Sequence, residues 1–163
     1  MVEIAAMQSS DLPEVLRILA EGIATGVATL ETVPPSAAQW DAAHLPQARL
    51  VARDGAEMVG WAALSPYSRR HAYRGVAEVS VYVSAAARGR GVGRTLLAAE
   101  IAAAEDAGIW TLQAGVLPAN AASLALHAAC GFRVVGTRER IAQLHGEWTD
   151  VILLERRSEA VGT

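Results

Sequence analysis

Val79-Ser80-Val81-Tyr82-Val83, then Ser84-Ala85-Ala86-Ala87, then Arg88-Gly89-Arg90-Gly91-Val92-Gly93-Arg94: the fold turns on how this stretch is read. The first five residues read as a β-strand whose alternation puts Val79, Val81 and Val83 on one face. Glu78, Ser80 and Tyr82 fall on the other. The last seven form a Gly-rich basic turn that opens onto an Ala/Leu helix ending at Gly108. Glycine has no Cβ, so backbone N–H groups can crowd around an anion at such a turn. The helix start behind it adds aligned dipoles and unsatisfied donors. Arg88, Arg90 and Arg94 add positive charge. Together these residues describe a seat for a phosphate or pyrophosphate.

Upstream, Val2 to Met7 reads as a strand, and Asp11-Leu12-Pro13-Glu14 as a helix start with Asp11 as its cap. Leu12, Val15, Leu16, Leu19 and Ile23 keep helical spacing, giving one buried stripe. Pro34-Pro35 make 28–35 a loop, in which Glu31 is the one acid; Ser36 caps a short helix beyond it. Ala48–Arg53 and Met58–Leu64 read as strands joined at Asp54-Gly55. A basic, aromatic loop, 65–75, leads into the central strand. Downstream, Ile109–Val116 is a strand, Asn120 caps a helix from Ala121 to Cys130, and Phe132–Thr137 and Glu147–Glu155 are the last strands. The residues after Arg157 are expected to fray. The order of elements predicts one three-layer α/β domain over 1–163.

Composition narrows the function classes. With 52% hydrophobic and 19% charged residues the chain is no disordered segment. A net charge of −3 weighs against a general nucleic-acid binder. Cys130 is the only cysteine, so no intrachain disulfide forms. The N-terminus lacks a signal-peptide pattern and no apolar run reaches membrane-spanning length, so a soluble cytoplasmic protein without a membrane or nucleic-acid partner is expected.

Across Val79 to Arg94 and Asn120 to Phe132 the chain resembles the GCN5-related N-acetyltransferases (GNAT). Arg88-Gly89-Arg90-Gly91-Val92-Gly93 matches their pyrophosphate motif, and Asn120-Ala121-Ala122-Ser123-Leu124-Ala125-Leu126-His127, closing on Gly131-Phe132, matches their second coenzyme A motif. Ala28-Thr29-Leu30-Glu31-Thr32, Ala77 to Val83 and Trp148-Thr149-Asp150-Val151 further resemble the phosphinothricin and methionine sulfoximine acetyltransferases. The resemblance implies an α/β/α fold with a splayed mixed, mostly antiparallel central sheet. It implies acetyl-CoA as cosubstrate, no metal, an amino-acid-like acceptor and a homodimer. Val81, Tyr82 and Val83 would meet the pantetheine arm. Arg88, Gly89, Arg90, Gly91, Val92, Gly93 and Arg94 would hold the pyrophosphate, with Asn120 also on the coenzyme. Glu78 would be the general base and His127 the group that protonates the leaving thiolate or stabilises the oxyanion. Glu31, His71, Tyr73 and Arg74 would face the acceptor.

Leu30 stands where those enzymes usually carry a phenylalanine, which widens or reshapes the acceptor pocket, and Val33 replaces an acid common just after it. Ala129 takes the place of a serine that some relatives have near the coenzyme. Acetylation of another amine, such as a peptide N-terminus or an aminoglycoside, is the nearest alternative. The basic 65–75 loop suits an acid-bearing acceptor better than an aminoglycoside. A coenzyme A-binding sensor without catalysis is a third reading, and the presence of both Glu78 and His127 weighs against it.

Overall fold

The computed structural model describes residues 1–163. Strands β1 (Val2–Ala6), β2 (Leu50–Asp54), β3 (Glu57–Pro66), β4 (Val76–Val83), β5 (Thr111–Val116), β6 (Arg133–Leu144) and β7 (Glu147–Arg157) form one sheet. Their spatial order is β1-β2-β3-β4-β5-β7-β6. Every neighbouring pair is antiparallel except β4 and β5, which run parallel. Helices α1 (Leu12–Ala24) and α2 (Ala37–Ala43) cover one face of the sheet; α3 (Val92–Asp106) and α4 (Ala121–Ala129) cover the other. No helix is long and apolar enough to cross a membrane.

The alternation of β4 decides what each face receives. Val79 packs into the core beneath α3, and Val81 and Val83 pack beside Val92 and Leu96 of the same helix. Tyr82, pointing the other way, stacks on Trp61 with ring centroids 4.9 Å apart and joins the core of α1 and α2. Burying these apolar faces is the main stabilising term, at roughly 25 cal/mol per Å².

The structure changes three local expectations. Asp11 stands at the N-cap position of α1, but its side chain makes no capping bond to that helix. It ends a preceding 3-10 turn, Ser9–Asp11, where its carboxylate accepts from the Gln8 N–H (2.8 Å) and pairs with Arg53. β6 continues well past Thr137, to Leu144, and turns back at His145-Gly146, both at positive φ. The tail after Arg157 is held rather than frayed. Ser158 is 5% exposed and its hydroxyl donates to Glu105 (2.8 Å), while the Arg157 guanidinium binds the carbonyls of Ser158, Val161 and Gly162.

Trp110 sits under that tail. Its N–H donates to the Gly75 carbonyl (2.7 Å), and its own carbonyl accepts from the Ser158 N–H (2.8 Å). A Cβ at Gly75 would lie 2.1 Å from the indole, so only glycine allows this approach. The chain entering β4, the chain entering β5 and the C-terminus are thereby clasped together.

The indole N–H groups of Trp40 and Trp61, the Ser84 hydroxyl and the Glu100 carboxyl are buried without a hydrogen-bond partner, and of these only Glu100 is an acid. Glu100 on α3 is 0% exposed and neither carboxylate oxygen makes a hydrogen bond. Burial pushes its carboxyl from the ordinary 4.5 up to about 8. Between those values the folded chain keeps a proton that the unfolded chain releases, so stability falls as pH rises from about 4.5 towards 8. Glu100→Met is expected to stabilise the protein by ~1–3 kcal/mol at pH 8, the cost of an unsatisfied buried group. The gain should shrink towards pH 5. Denaturant titrations at both pH values check this, and a gain independent of pH would contradict it.

Candidate active site

β4 pairs with β3 from Ala77 to Val83 but with β5 only from Val76 to Glu78. Beyond Glu78 and its partner Gln113 the two parallel strands part. One edge of Val79–Val83 is therefore left without a strand neighbour, and its backbone groups face open space. That space is a cleft of about 1210 Å³ that both Val81 and Val83 line, with Gly115 and Val116 on the opposite wall.

At one end the cleft meets the Gly-rich turn. Gly89 and Gly91 have φ of 76° and 81°, and a Cβ on either would meet nothing in the chain within 4 Å. Gly91 is the N-cap of α3 and no side chain caps that helix, so its first N–H groups point outward unpaired. Arg88, Val92, Gly93 and Arg94 also line the cleft. This geometry fits a pyrophosphate. Arg90 departs from the expected set: it lies outside the lining, and its guanidinium donates to Asp54 at the end of β2 (2.8 Å). The left-handed residues on either side turn its side chain away from the cradle.

Glu78 stands where the strands divide. Its carboxylate is exposed and accepts from the Gln113 side chain (3.2 Å). Glu31 reaches the same cleft on the loop after α1, together with Thr29 and Leu30. Tyr82 lines the cleft, and its ring lies against Gly22 of α1. Burial raises the phenol above its ordinary value. Asn120 lines the cleft and caps α4, its Oδ1 accepting from the Ser123 N–H (3.1 Å).

His127 is 5% exposed, edge-on to Phe132. Its Nδ1 lies 2.7 Å from the Ser123 carbonyl. A carbonyl only accepts, so the proton sits on Nδ1 and Nε2 carries the lone pair. Burial lowers the ring's proton affinity, and the bond to Ser123 only partly offsets this. The resting imidazole is thus a proton acceptor towards the cleft, and it can donate from Nε2 only after gaining a proton.

His71, Tyr73 and Arg74 are not brought to this cleft. Their loop packs on itself and on the sheet end: Tyr67 lies edge-on to Tyr73, Arg70 lies over Tyr73, and the Arg74 guanidinium lies 5.2 Å from the Trp110 ring. Two cleft residues instead come from segments with no local sequence signal. Gln113 is a lone amide in a strand. Arg138 is one of several charges on an exposed strand, and register alone directs it inward.

The sequence pattern of the acetyltransferase (GNAT) family matches residues 18–132. Phosphinothricin N-acetyltransferase of Alcaligenes faecalis is 38% identical, over 98% of this chain and 84% of its own. L-methionine sulfoximine/L-methionine sulfone acetyltransferase of Pseudomonas aeruginosa is 33% identical, over 90% and 88%. Among solved structures, a phosphinothricin acetyltransferase from Sinorhizobium meliloti in complex with acetyl-CoA superposes with a TM-score of 0.86 at 30% identity, covering 99% of this chain and 95% of that one. Ribosomal-protein-alanine N-acetyltransferase from Brucella melitensis gives 0.87 at 32%, covering 96% and 99%.

Nitrogen NMR of the imidazole checks the tautomer. At pH 7 the His127 Nε2 resonance is expected in the unprotonated range, with the ring titrating below 6.5. A doubly protonated ring at pH 7 would contradict it.

Proposed function

This chain belongs to the GNAT acetyltransferase family, and on that premise we propose that, acting as one domain, it moves the acetyl group of acetyl-CoA to the α-amino group of a small amino-acid-like acceptor of the phosphinothricin or methionine sulfoximine type. The observation that carries the reading is the parting of β4 from β5. It supplies one free strand edge, with an anion cradle at one end and the carboxylate of Glu78 at the other. The likeness to an enzyme solved with acetyl-CoA supports the same reading.

The chemistry assigns each group a task. An α-ammonium has no lone pair, so Glu78 takes its proton, directly or through water. Backbone N–H groups near Val81 polarise the thioester carbonyl, and the free amine attacks it without a covalent enzyme intermediate. As the C–N bond forms, the nitrogen sheds a second proton. His127 Nε2 accepts that proton and passes it to the sulfur as the C–S bond breaks. Holding both reactants in one cleft supplies much of the rate, on the order of ~7 kcal/mol or more.

Acetylation of a peptide N-terminus is the second reading, supported by the likeness to the ribosomal-protein-alanine enzyme. A panel of free amino acids, their amides and short peptides in a thiol-release assay decides between the two. Glu78→Gln is expected to lower kcat by ~10²–10⁴ at pH 7 while leaving the KM for acetyl-CoA unchanged. The loss should shrink as pH rises and the acceptor deprotonates unaided. An unaltered pH–rate profile would remove Glu78 from the role of base.

The edge strand β6 supports a homodimer. Val134, Val135 and Ile141 are exposed along it, as is Trp148 on its partner β7, and an open edge of this length invites pairing. Light scattering is expected to return twice 17.1 kDa; a monomer mass would refute the dimer.

A further inference from the structure

The β6–β7 wall of the cleft carries one cation, Arg138. Its guanidinium has no acidic partner in the chain, whereas Arg133 on the same strand pairs with Glu155 and Arg156 on β7 pairs with Glu105. The register explains how an exposed strand delivers Arg138 to the site. Leu154 and Ile152 of β7 point into the core under α3 and α4, so Val151 and Leu153 face the opposite side of the sheet. Arg138 pairs with Val151 and shares that face. On β5, Leu112, Ala114 and Val116 are core, which puts Gln113 and Gly115 on the same side as Arg138, and Gln113 holds Glu78 there. Glu78 and Arg138 therefore stand over one face of the sheet, with Gly115 between them. A Cβ at Gly115 would press on the Val151 side chain at 3.1 Å, so the floor beside Gly115 is apolar, formed by Val151 and Leu153.

Immediately after Arg138 the strand is interrupted. The β6–β7 register shifts between Arg138 and Ala142; Arg140 adopts φ of 47°, and its N–H donates to the Asp150 carboxylate (2.7 Å). This bulge puts Ile141 and Ala142 on the cleft lining beside Arg138.

We propose that Arg138 is the anion-recognising residue of the acceptor site: its guanidinium binds an acid group of the acceptor while the amine of the same molecule lies at Glu78. The inference rests on the acetyl-transfer reading above and specifies how the acceptor is held. An amino acid carries a cation and an anion a few bonds apart, and the cleft offers a carboxylate and a guanidinium over an uncharged, apolar floor. Arginine's planar fork matches a carboxylate or a phosphinate equally well, so either acid could be the one bound.

Three acceptors test this: phosphinothricin, which has both acids; methionine sulfone, which has the carboxylate alone; and methionine sulfone amide, which has neither. Arg138→Ala is expected to raise the acceptor KM by about ten- to hundredfold for acid-bearing acceptors, the usual worth of a charge-assisted contact. The kcat, the KM for acetyl-CoA and the KM for the amide should stay put. Arg138→Lys should recover part of the loss. If phosphinothricin and methionine sulfone are both weakened, the carboxylate is the group bound; if only phosphinothricin is, the phosphinate is. An unchanged KM for both acids, or an equal rise for the amide, overturns the placement while leaving acetyl transfer to amino acids standing. A wild-type protein that turns over none of the three overturns the broader reading, and this placement with it.

Discussion

β4 and β5 are hydrogen-bonded only at Val76–Glu78, and the direction each takes afterwards is fixed by a different partner. β4 stays with β3 as far as Val83, and β5 follows β7 as far as Val116. Parallel neighbours that diverge expose backbone donors and acceptors, a cost that most sheets avoid. Here the exposed edge is the site. It explains why the cleft runs along a strand, why the Gly-rich turn lies at the far end of it, and why Glu78 stands at its closed end.

Charge along the cleft is graded rather than uniform. Arg88 and Arg94 stand beside the uncapped start of α3, Glu31 and Glu78 lie around the point of divergence, and Arg138 stands on the outer wall. A ligand with phosphates at one end meets cations, and an amine meets acids. His127 contributes no charge at rest, since burial outweighs its bond to Ser123 and keeps the ring neutral. A neutral ring does not repel an incoming ammonium. That suits a site which must admit a cation before deprotonating it.

Much of this was legible in the sequence because it is encoded locally. Alternation in Val79–Val83, the glycines of the turn and the capping of α4 by Asn120 each act within a few residues of themselves. What was not legible depends on distant partners. Arg90 reads as part of an anion seat until Asp54, at the end of β2, is seen to hold it. Asp11 has the right neighbours for a helix cap, but Arg53 and the Gln8 N–H engage its carboxylate instead. β6 is an edge strand exposed along most of its length, so it lacks the alternation that marks half-buried strands, and its second half reads as loop. Arg138 falls in that half. His71, Tyr73 and Arg74 sit on a loop with the composition of a binding loop, yet aromatic and cation–π contacts draw the loop onto itself and onto Trp110.

The clasp around Trp110 has a thermodynamic consequence for the cleft. It ties together the chain entering β4, the chain entering β5 and the last residues of the protein, just below the point where the strands separate. The angle between the strands is therefore set by the fold before any ligand arrives. A ligand entering such a cleft finds its wall already ordered, so little of its binding free energy is lost to immobilising backbone. The terminal residues, far from the chemistry in sequence, thus act as a brace that keeps the cleft preorganised.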